Sequence, residues 1–349
     1  MSEDRFLFTR RPDLENKWPF LHERMVARLD ELGTTVILNT DTKDPIHQQI
    51  ELDAVVGIAR FGGSLTAQCI AAAPKLRVIG TMDDNSGKGV PFDLLQARNI
   101  PVIEATRAWA QSVAECAFGL ALAALRRTAQ WHCRMANKEP LWKYAYGQFC
   151  DAPEFVNGDL GTKRIGVIGL GQIGRKIAQW CRAFGAMVDG YDPFVDESLL
   201  KKWDVRLVDM DMLVSEADIV FIAVPPTPSA RHLLSRERIN RLHKGALVVA
   251  ITRAHAIDME ALRERILADE LAGAFDVYDV EPLPVDDPLR GRDNVVHTPH
   301  IAGRTKDANL RVADMIVDDF TRVLKGEQPL GALTPKAATV RTGNIELPF

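Results

Sequence analysis

Lys163-Arg-Ile-Gly-Val-Ile-Gly-Leu-Gly-Gln-Ile-Gly174 reads as a buried strand, a glycine turn and the start of a helix. Its apolar residues suit a parallel strand that is covered on both faces. Gly169 permits the tight turn, Gly171 lets the backbone approach a pyrophosphate, and Gly174 allows the helix to lie close to the strand. Free N–H groups at the start of the helix favour an anion. The pattern therefore predicts a dinucleotide-binding domain, although such glycines alone can also mark a plain tight turn.

A second predicted strand, 186–191, ends at an acid that bears on the choice of cofactor. Asp192 lies roughly 20 residues beyond the glycines, where a carboxylate meets the adenosine ribose of a bound dinucleotide. A carboxylate there accepts hydrogen bonds from a ribose 2′-hydroxyl and repels a 2′-phosphate. Pro193 and Phe194 follow it, so no arginine offsets the repulsion. NAD is therefore favoured over NADP; the alternative is that Asp192 is only a solvated residue closing a strand.

The composition is that of a globular protein with more than one domain. The chain has 349 residues, of which 46% are hydrophobic, which is enough for two domains with sizeable cores. A net charge of −4 provides no general field for nucleic acid or an anionic membrane. Five cysteines without zinc-ligand spacing indicate reduced thiols and no metal site. Because we find neither a membrane-spanning apolar run nor a signal peptide, we expect a cytoplasmic protein.

Strands and helices alternate along the chain, which predicts parallel α/β sheets. In the first half, strands are expected at 6–9, 35–38, 54–58, 76–79 and 100–103, with helices at 16–32 and from an N-cap at Ser64 to Ala73. A long helical stretch from Ser112 to about Asn137 follows. In the second half, strands are expected at 218–224, 246–252, 273–277 and 295–298, with helices at 237–242, 259–271 and 309–325. Each half therefore builds its own sheet, and the first half, which lacks the glycine fingerprint, is the expected substrate domain.

Three polar residues stand at predicted strand ends in the second half: Arg253, Glu281 and His300. In open α/β sheets ligands bind beyond the carboxyl ends of the strands, so these side chains are expected to converge. The imidazole can give or take a hydroxyl proton, the glutamate can orient it, and the guanidinium can hold a carboxylate or carbonyl. Each residue also has a purely structural interpretation, as a strand-ending or helix-capping group. It is the set, together with the glycine fingerprint, that indicates hydride chemistry.

Over roughly residues 53–326 the chain resembles the D-isomer-specific 2-hydroxyacid dehydrogenases. The resemblance rests on four motifs: Gly169–Gly174 with Asp192, Thr252-Arg253 before Ala-Ile-Asp258, Asp276-Val-Tyr-Asp-Val-Glu281-Pro282, and His297-Thr-Pro-His300-Ile-Ala-Gly303. It implies catalytic roles for Arg253, Glu281 and His300. The cofactor contacts expected from the fingerprint and the resemblance are Gly169, Gly171, Gln172, Ile173, Gly174, Asp192, Thr227, Ile251, Thr252, Asp276 and Gly303.

The resemblance also implies an architecture of two doubly wound parallel-sheet domains, with an NAD-binding Rossmann domain inserted into a flavodoxin-like substrate domain. The expected segments are 1–125 for the first part of the substrate domain, 126–303 for the NAD-binding domain, 304–330 for a C-terminal helix of the substrate domain, and 331–349 for an extended tail. Family members are usually homodimers that meet through their cofactor domains. The cleft between the two domains is expected to close around cofactor and substrate.

The predicted substrate loop departs from the family pattern. Family members commonly carry Ala-Gly-x-Gly-Val-Asp where this chain has Ser86-Gly-Lys-Gly-Val90 followed by Pro91, after extra residues around 82–85. The expected substrate contacts are Arg60, Gly87, Lys88, Gly89 and Arg253. Lys88 suggests a second anionic group or several polar groups on the substrate, unless it is only a solvated lysine.

The family's Arg-Gly pair is Arg253-Ala254 in this chain, followed by His255. The added Cβ of Ala254 could narrow the site near the nicotinamide. His255 could face the substrate, but the favoured interpretation is an accidental surface histidine.

The combined features predict hydride transfer between nicotinamide and C2 of a D-2-hydroxy or 2-oxo acid. His300 would act as acid or base assisted by Glu281, and Arg253 would bind the carboxylate and the carbonyl. Formate or phosphite dehydrogenases of the same fold are one alternative, for which the sequence supplies no special motif. An NADH-sensing, corepressor-like binding protein is another, and the intact Arg–Glu–His set argues against it. The sequence does not name the acid.

Overall fold

The computed structural model describes residues 4–40, 43–81, 90–142, 152, 154–196, 198, 200 and 203–334. The chain divides into two compact units: unit 1 comprises Met1–Ala110 and Arg304–Phe349, and unit 2 comprises Gln111–Gly303. It passes from unit 1 to unit 2 near the beginning of a long helix, whereas the predicted boundary at 125/126 lies near the end of that helix. The predicted boundaries stay predictions. In the described residues no helix combines the length and the apolar character needed to cross a membrane.

Unit 1 is built on a five-stranded parallel sheet with the order β2-β1-β3-β4-β5. The strands are β1 (Arg5–Arg10), β2 (Thr34–Asn39), β3 (Val55–Phe61), β4 (Val78–Thr81) and β5 (Val102–Glu104). This is the doubly wound, flavodoxin-like order. Between β1 and β3 the direction in which successive strands are added to the sheet reverses. Strand β3 is buried along its whole length and is apolar except for Arg60, as suits a parallel strand covered on both faces.

The helices of unit 1 cover both faces of this sheet. They are α1 (Leu14–Lys17), α2 (Leu21–Asp30), α3 (Ala67–Ala72), α4 (Phe92–Ala97) and the final helix, which is numbered α11 (Lys306–Leu324). The final helix packs closely on the sheet because two strand positions are glycines. An added Cβ at Gly57 would lie 2.9 Å from the ring of Phe320, and one at Gly80 would lie 2.7 Å from Ile316.

The sheet of unit 1 also receives the segment after α11. Ala332 forms an antiparallel bridge with Ile103 of the edge strand β5. The buried carboxylate of Asp319 in α11 accepts hydrogen bonds from the N–H groups of Leu330 (2.7 Å) and Gly331 (2.6 Å). Of the predicted extended tail 331–349, residues 335–349 lie outside the described residues.

Three predicted elements in the first 137 residues need correction. The helix expected at 16–32 is interrupted at Pro19, whose ring nitrogen has no hydrogen to donate, and α2 begins only at Leu21. The N-cap of α3 is Thr66 rather than Ser64, since the Thr66 hydroxyl accepts the N–H of Cys69. The long stretch 112–137 is two helices, α5 (Ala110–Arg126) and α6 (Thr128–Ala136). They are separated by Arg127, which has a left-handed φ of 52°.

Unit 2 contains a seven-stranded parallel sheet with the order β12-β11-β10-β9-β6-β7-β8. The strands are β6 (Arg164–Ile168), β7 (Met187–Tyr191), β8 (Arg206–Leu207), β9 (Ile219–Ile222), β10 (Leu247–Ala250), β11 (Ala272–Phe275) and β12 (Val295–His297). The order reverses between β6 and β9, which places the ligand crevice of a Rossmann fold at their carboxyl ends. The predicted pair of doubly wound parallel sheets is confirmed.

Further helices of unit 2 include α7 (Gln172–Ala183), α8 (Met210–Glu216), α9 (Arg236–Arg241) and α10 (Met259–Leu267). The glycines of the opening stretch fix the first of these against the sheet. A Cβ at Gly174 would lie only 1.9 Å from the carbonyl oxygen of Gly169, so α7 approaches the end of β6 more closely than any larger residue allows.

Replacement of this third glycine provides a test of the close approach. In Gly174→Ala the new Cβ must push α7 away from the glycine turn, and we expect the free energy of unfolding to fall by about 3 kcal/mol or more. Urea denaturation measures the loss. Gly171→Ala is the matched control, because nothing lies within 4 Å of its added Cβ. It should cost at most about 1 kcal/mol, through a weaker N-cap. Equal losses in the two variants would contradict the packing argument.

Candidate active site

The glycine turn between β6 and α7 is shaped to admit a phosphate group. Gly169 has a φ of +91°, and a Cβ on it would lie 2.9 Å from the carbonyl oxygen of Ala223. Gly171, the N-cap of α7, faces open space, with nothing within 4 Å of an added Cβ. The first-turn N–H groups of α7 point towards this space and favour an anion there. Gln172 and Ile173 occupy that first turn. The turn therefore fits the pyrophosphate of a dinucleotide.

Asp192 follows β7 and holds the glycine turn in place. One carboxylate oxygen accepts the N–H of Leu170 at 2.8 Å, and the other accepts the N–H of Phe194 at 2.8 Å. Each oxygen retains lone pairs, since a carboxylate can accept about four hydrogen bonds. The residue predicted to meet the ribose thus also orders the predicted pyrophosphate turn, which spacing alone did not reveal.

The three predicted catalytic residues lie together at the carboxyl edge of the unit 2 sheet. His300 Nδ1 is 2.6 Å from Glu281 Oε2, and the other oxygen of Glu281 accepts the N–H of Tyr278 at 2.9 Å. Arg253 Nη1 donates to the carbonyl of Thr252 at 2.7 Å and lies 3.4 Å from His300 Nε2. A carboxylate only accepts, so Nδ1 carries a hydrogen and Nε2 is the nitrogen turned towards Arg253. About a third of the His300 side chain remains exposed.

The segment that carries His300 is anchored by the buried carboxylate of Asp276. This carboxylate accepts hydrogen bonds from the Thr298 hydroxyl (2.7 Å) and from the N–H groups of Ile301 (2.9 Å) and Ala302 (3.0 Å). Asp276 is completely buried, and His300 has a left-handed φ of 54°. Strain of this kind persists where the surroundings fix the backbone. Asp276 therefore positions the His300 segment; its expected contact with the cofactor stays a prediction.

The other predicted cofactor residues lie along the same edge of the sheet. Ile251 and Thr252 follow β10, where Ile251 is buried and the Thr252 hydroxyl donates to the Ile222 carbonyl at 3.3 Å. Thr227 is buried after β9. Gly303 is half-buried at the end of unit 2. Their expected contacts with a cofactor stay predictions.

The predicted substrate residues other than Arg253 belong to unit 1. Arg60 is buried near the end of β3, and its Nε donates to the carbonyl of Gly63 at 3.0 Å. Gly87, Lys88 and Gly89 lie outside the described residues. The substrate roles of all four stay predictions.

His255 is not an accidental surface residue, which corrects the favoured interpretation. Its neighbours Ala254 and Ala256 are buried in the hydrophobic core of unit 2, so the short 3₁₀ turn holds the imidazole half-buried against the Thr227 segment. Nε2 donates to the Thr227 carbonyl at 3.3 Å, and burial lowers the pKa of the imidazole. His255 lines an open cleft of about 700 Å³ together with Arg253 and His300. Its position two residues after Arg253 was the only signal in the sequence.

His297 supports the Glu281 segment through its contact with Tyr278. His297 Nε2 donates to the Leu289 carbonyl at 2.9 Å, so Nδ1 accepts from the Tyr278 hydroxyl at 3.1 Å. The two rings stack with a centroid separation of 6.2 Å. Burial lowers the pKa of His297, and burial followed by the charge of Asp276 raises the pKa of Tyr278 to about 12. Both rings are therefore neutral near pH 7, and the backbone N–H of Tyr278 stays fixed for Glu281.

Comparison with known proteins identifies a sequence family for unit 2. The model of the family described as D-isomer specific 2-hydroxyacid dehydrogenase, NAD binding domain, matches residues 118–302. A protein named hydroxypyruvate reductase from Thermotoga maritima is 32% identical over 311 residues, which cover 85% of this chain and 96% of that protein.

A protein named D-3-phosphoglycerate dehydrogenase from Methanocaldococcus jannaschii is 35% identical over 312 residues, or 88% of this chain. This chain spans only 56% of the length of that relative. Among solved structures, a phosphoglycerate oxidoreductase from Rhizobium etli has a TM-score of 0.79 at 23% identity and covers 94% of this chain and 98% of its own. At that identity the likeness shows the fold alone.

Support from His297 makes stability depend on pH. The pKa of His297 is lowered in the native protein and has its ordinary value near 6.5 in the unfolded chain. As pH falls below about 6.5, the unfolded chain therefore binds more protons than the native protein. The contribution of His297 is present above about pH 6.5 and is lost as pH falls towards the native pKa. We expect the wild type to lose more unfolding free energy between pH 7.5 and 5.5 than His297→Gln does, as measured by urea denaturation. Equal losses in the two proteins would refute this role.

Proposed function

Because this chain belongs to the D-isomer specific 2-hydroxyacid dehydrogenase family, we propose that it catalyses NAD-dependent interconversion of a D-2-hydroxy acid and its 2-oxo acid. The observation that carries the proposal is the contact chain Glu281–His300–Arg253, with separations of 2.6 and 3.4 Å, at the carboxyl edge of an NAD-binding sheet. Carbonyl reduction requires a proton donor and a fixed cation next to the substrate carbonyl oxygen, roles that His300 and Arg253 can fill.

Arg253 is proposed to bind the acid. A guanidinium is always protonated and presents N–H groups in a planar fork, which matches a carboxylate or the adjacent carbonyl oxygen. Its hydrogen bond to the Thr252 carbonyl fixes the fork near His300 Nε2. The 2-oxo group would therefore lie between two donors, and its developing negative charge would be stabilised by both.

His300 is proposed to move the proton. Nδ1–H is committed to Glu281, which fixes the tautomer and the ring orientation, so Nε2 is the nitrogen that exchanges a proton with substrate oxygen. When bound, the nicotinamide supplies or accepts the hydride at C2. In the reducing direction, Nε2–H of the protonated imidazole donates to the nascent alkoxide, and in the oxidising direction neutral Nε2 accepts the hydroxyl proton.

The remaining parts of the proposal rest on family membership and on the sequence. Arg60 and the loop residues Gly87, Lys88 and Gly89 would complete the substrate site from the substrate domain. The family-based expectations of domain closure and of a homodimer joined through the NAD-binding domains are part of the proposal. Limited change in solution scattering on adding both ligands would count against closure.

A panel assay tests the activity directly. Loss of NADH absorbance is followed with glyoxylate, hydroxypyruvate, pyruvate, branched and aromatic 2-oxo acids, and oxaloacetate. Oxidation of NADH with at least one acid is the expected result. Unchanged NADH absorbance with every acid of the panel, while NADH still binds, would overturn the proposal.

His300→Ala removes the proposed proton donor. General acid–base catalysis contributes about 10²–10⁴-fold, so turnover should fall by that factor while NADH binding persists. His243→Ala is the matched control, because His243 precedes β10 at the opposite edge of the sheet, where it contacts Asp218 at 3.3 Å. The control should keep its turnover. Unimpaired turnover in His300→Ala would refute the assignment of His300 as the proton donor.

Asp192 is proposed to make NAD the preferred cofactor. Asp192→Ser removes the charge that would repel a 2′-phosphate but keeps a short acceptor near the N–H of Leu170. The ratio of kcat/KM for NADPH to that for NADH should rise by about 10-fold or more, equivalent to about 1.4 kcal/mol. Steady-state kinetics with the best acid of the panel measure the ratio. An unchanged ratio would show that Asp192 does not set the preference.

A further inference from the structure

The cleft beside the proposed catalytic residues is also lined by Arg231. It is formed entirely within unit 2, has a volume of about 700 Å³, and is lined by Arg253, Glu281 and His300. Arg231, His232 and His255 line the same cleft. A substrate bound at Arg253 would therefore lie in the same cleft as Arg231.

Three of the four acidic side chains that line the cleft lie near an arginine. Asp279 accepts from Arg263 at 2.7 Å, and Glu260 is paired with Arg236 at 3.4 Å. Asp258 caps α10 by accepting the N–H of Ala261 at 3.0 Å and has Arg236 at 4.0 Å. The fourth acid, Glu281, is hydrogen-bonded to His300 at 2.6 Å. The charges of the first three acids are therefore partly compensated by arginines other than Arg231.

Arg231 differs from the arginines that pair with these acids. Its guanidinium is exposed and makes no hydrogen bond or ion pair with any residue in the described part of the chain. Its backbone is nevertheless fixed, since its N–H donates to the Pro228 carbonyl at 3.1 Å and the next N–H, of His232, donates to the His255 carbonyl at 2.9 Å. Leu234 continues this contact as a parallel bridge to Ile257. The segment that carries Arg231 is thus held beside the turn that carries Arg253.

Two arginines of the cleft act on the half-buried His255. Burial is the largest cause of the lowered pKa of His255, the hydrogen bond to the Thr227 carbonyl raises this pKa, and the charges of Arg253 and Arg231 lower it further. Arg231 and Arg253 therefore both act on the same region of the cleft. An anionic group placed there would gain attraction from Arg231 without first displacing an internal partner.

We propose that Arg231 forms, in this cleft, a subsite for a second anionic group on the substrate. The subsite selects 2-oxo acids that carry a further carboxylate or a phosphate beyond the carboxylate held by Arg253. The proposal rests on the proposed dehydrogenase function, which it makes more specific. The shared chemistry is an anion distal to the reacting carbonyl.

The test compares substrates with and without that second charge. The value of kcat/KM is measured for hydroxypyruvate, oxaloacetate and 3-phosphohydroxypyruvate with the wild type, Arg231→Gln and Arg231→Lys. In Arg231→Gln the ratio of kcat/KM for a doubly charged acid to that for hydroxypyruvate should fall by about 10-fold or more, the scale of a lost charge-assisted hydrogen bond. Arg231→Lys should restore part of the ratio. A fall for oxaloacetate alone identifies a carboxylate subsite, and a fall for the phosphorylated acid alone identifies a phosphate subsite.

Arg241→Gln is the charge-matched control, because Arg241 of α9 is paired with Glu237 of α9 at 3.0 Å and with Asp211 of α8 at 2.9 Å. It should leave the ratios unchanged. Ratios in Arg231→Gln equal to those of the wild type for both doubly charged acids would overturn the subsite while leaving the dehydrogenase function intact. Absence of turnover by the wild type with every acid would instead refute the proposed function, and the subsite with it.

Discussion

The buried carboxylate of Asp276 is the interaction on which the candidate active site depends. A fully buried charge is stable only when hydrogen-bond donors surround it, and here the donors come from Thr298, Ile301 and Ala302. These residues flank His300, so the carboxylate of Asp276 at the end of β11 fixes the segment that follows β12. The left-handed φ of His300 follows from that constraint. The imidazole is consequently held against Glu281, while about a third of the His300 side chain remains exposed.

Two groups of residues line the same cleft of unit 2. His300 lies between Glu281 and Arg253, with separations of 2.6 and 3.4 Å. Glu260 and Asp279 are paired with arginines, whereas Arg231 makes no ion pair with a described residue. The proton transfer proposed for His300 and the acid preference proposed for Arg231 therefore belong to different residues of one Rossmann domain.

Much of this arrangement could be predicted from the sequence because it follows from local rules. The spacing of the glycines predicted the turn before α7. The rule that the carboxyl ends of parallel strands meet at one edge of a sheet predicted that Arg253, Glu281 and His300 lie close together. The predictions failed where tertiary contacts decide. Ser64 and Thr66 are both suitable N-cap residues, so the sequence alone does not decide between them. In the folded chain Thr66 caps α3. The burial of His255 depends on a core beneath its turn, and the anchoring role of Asp276 depends on contacts more than 20 residues away.

Transfer of the hydride itself is the most direct observable. NADH carrying deuterium at the transferable C4 position is incubated with the best 2-oxo acid, and the product is examined by NMR and chiral chromatography. Deuterium at C2 of a D-2-hydroxy acid is the expected result. A product without deuterium at C2, or one with the L configuration, would contradict hydride transfer by a D-2-hydroxyacid dehydrogenase.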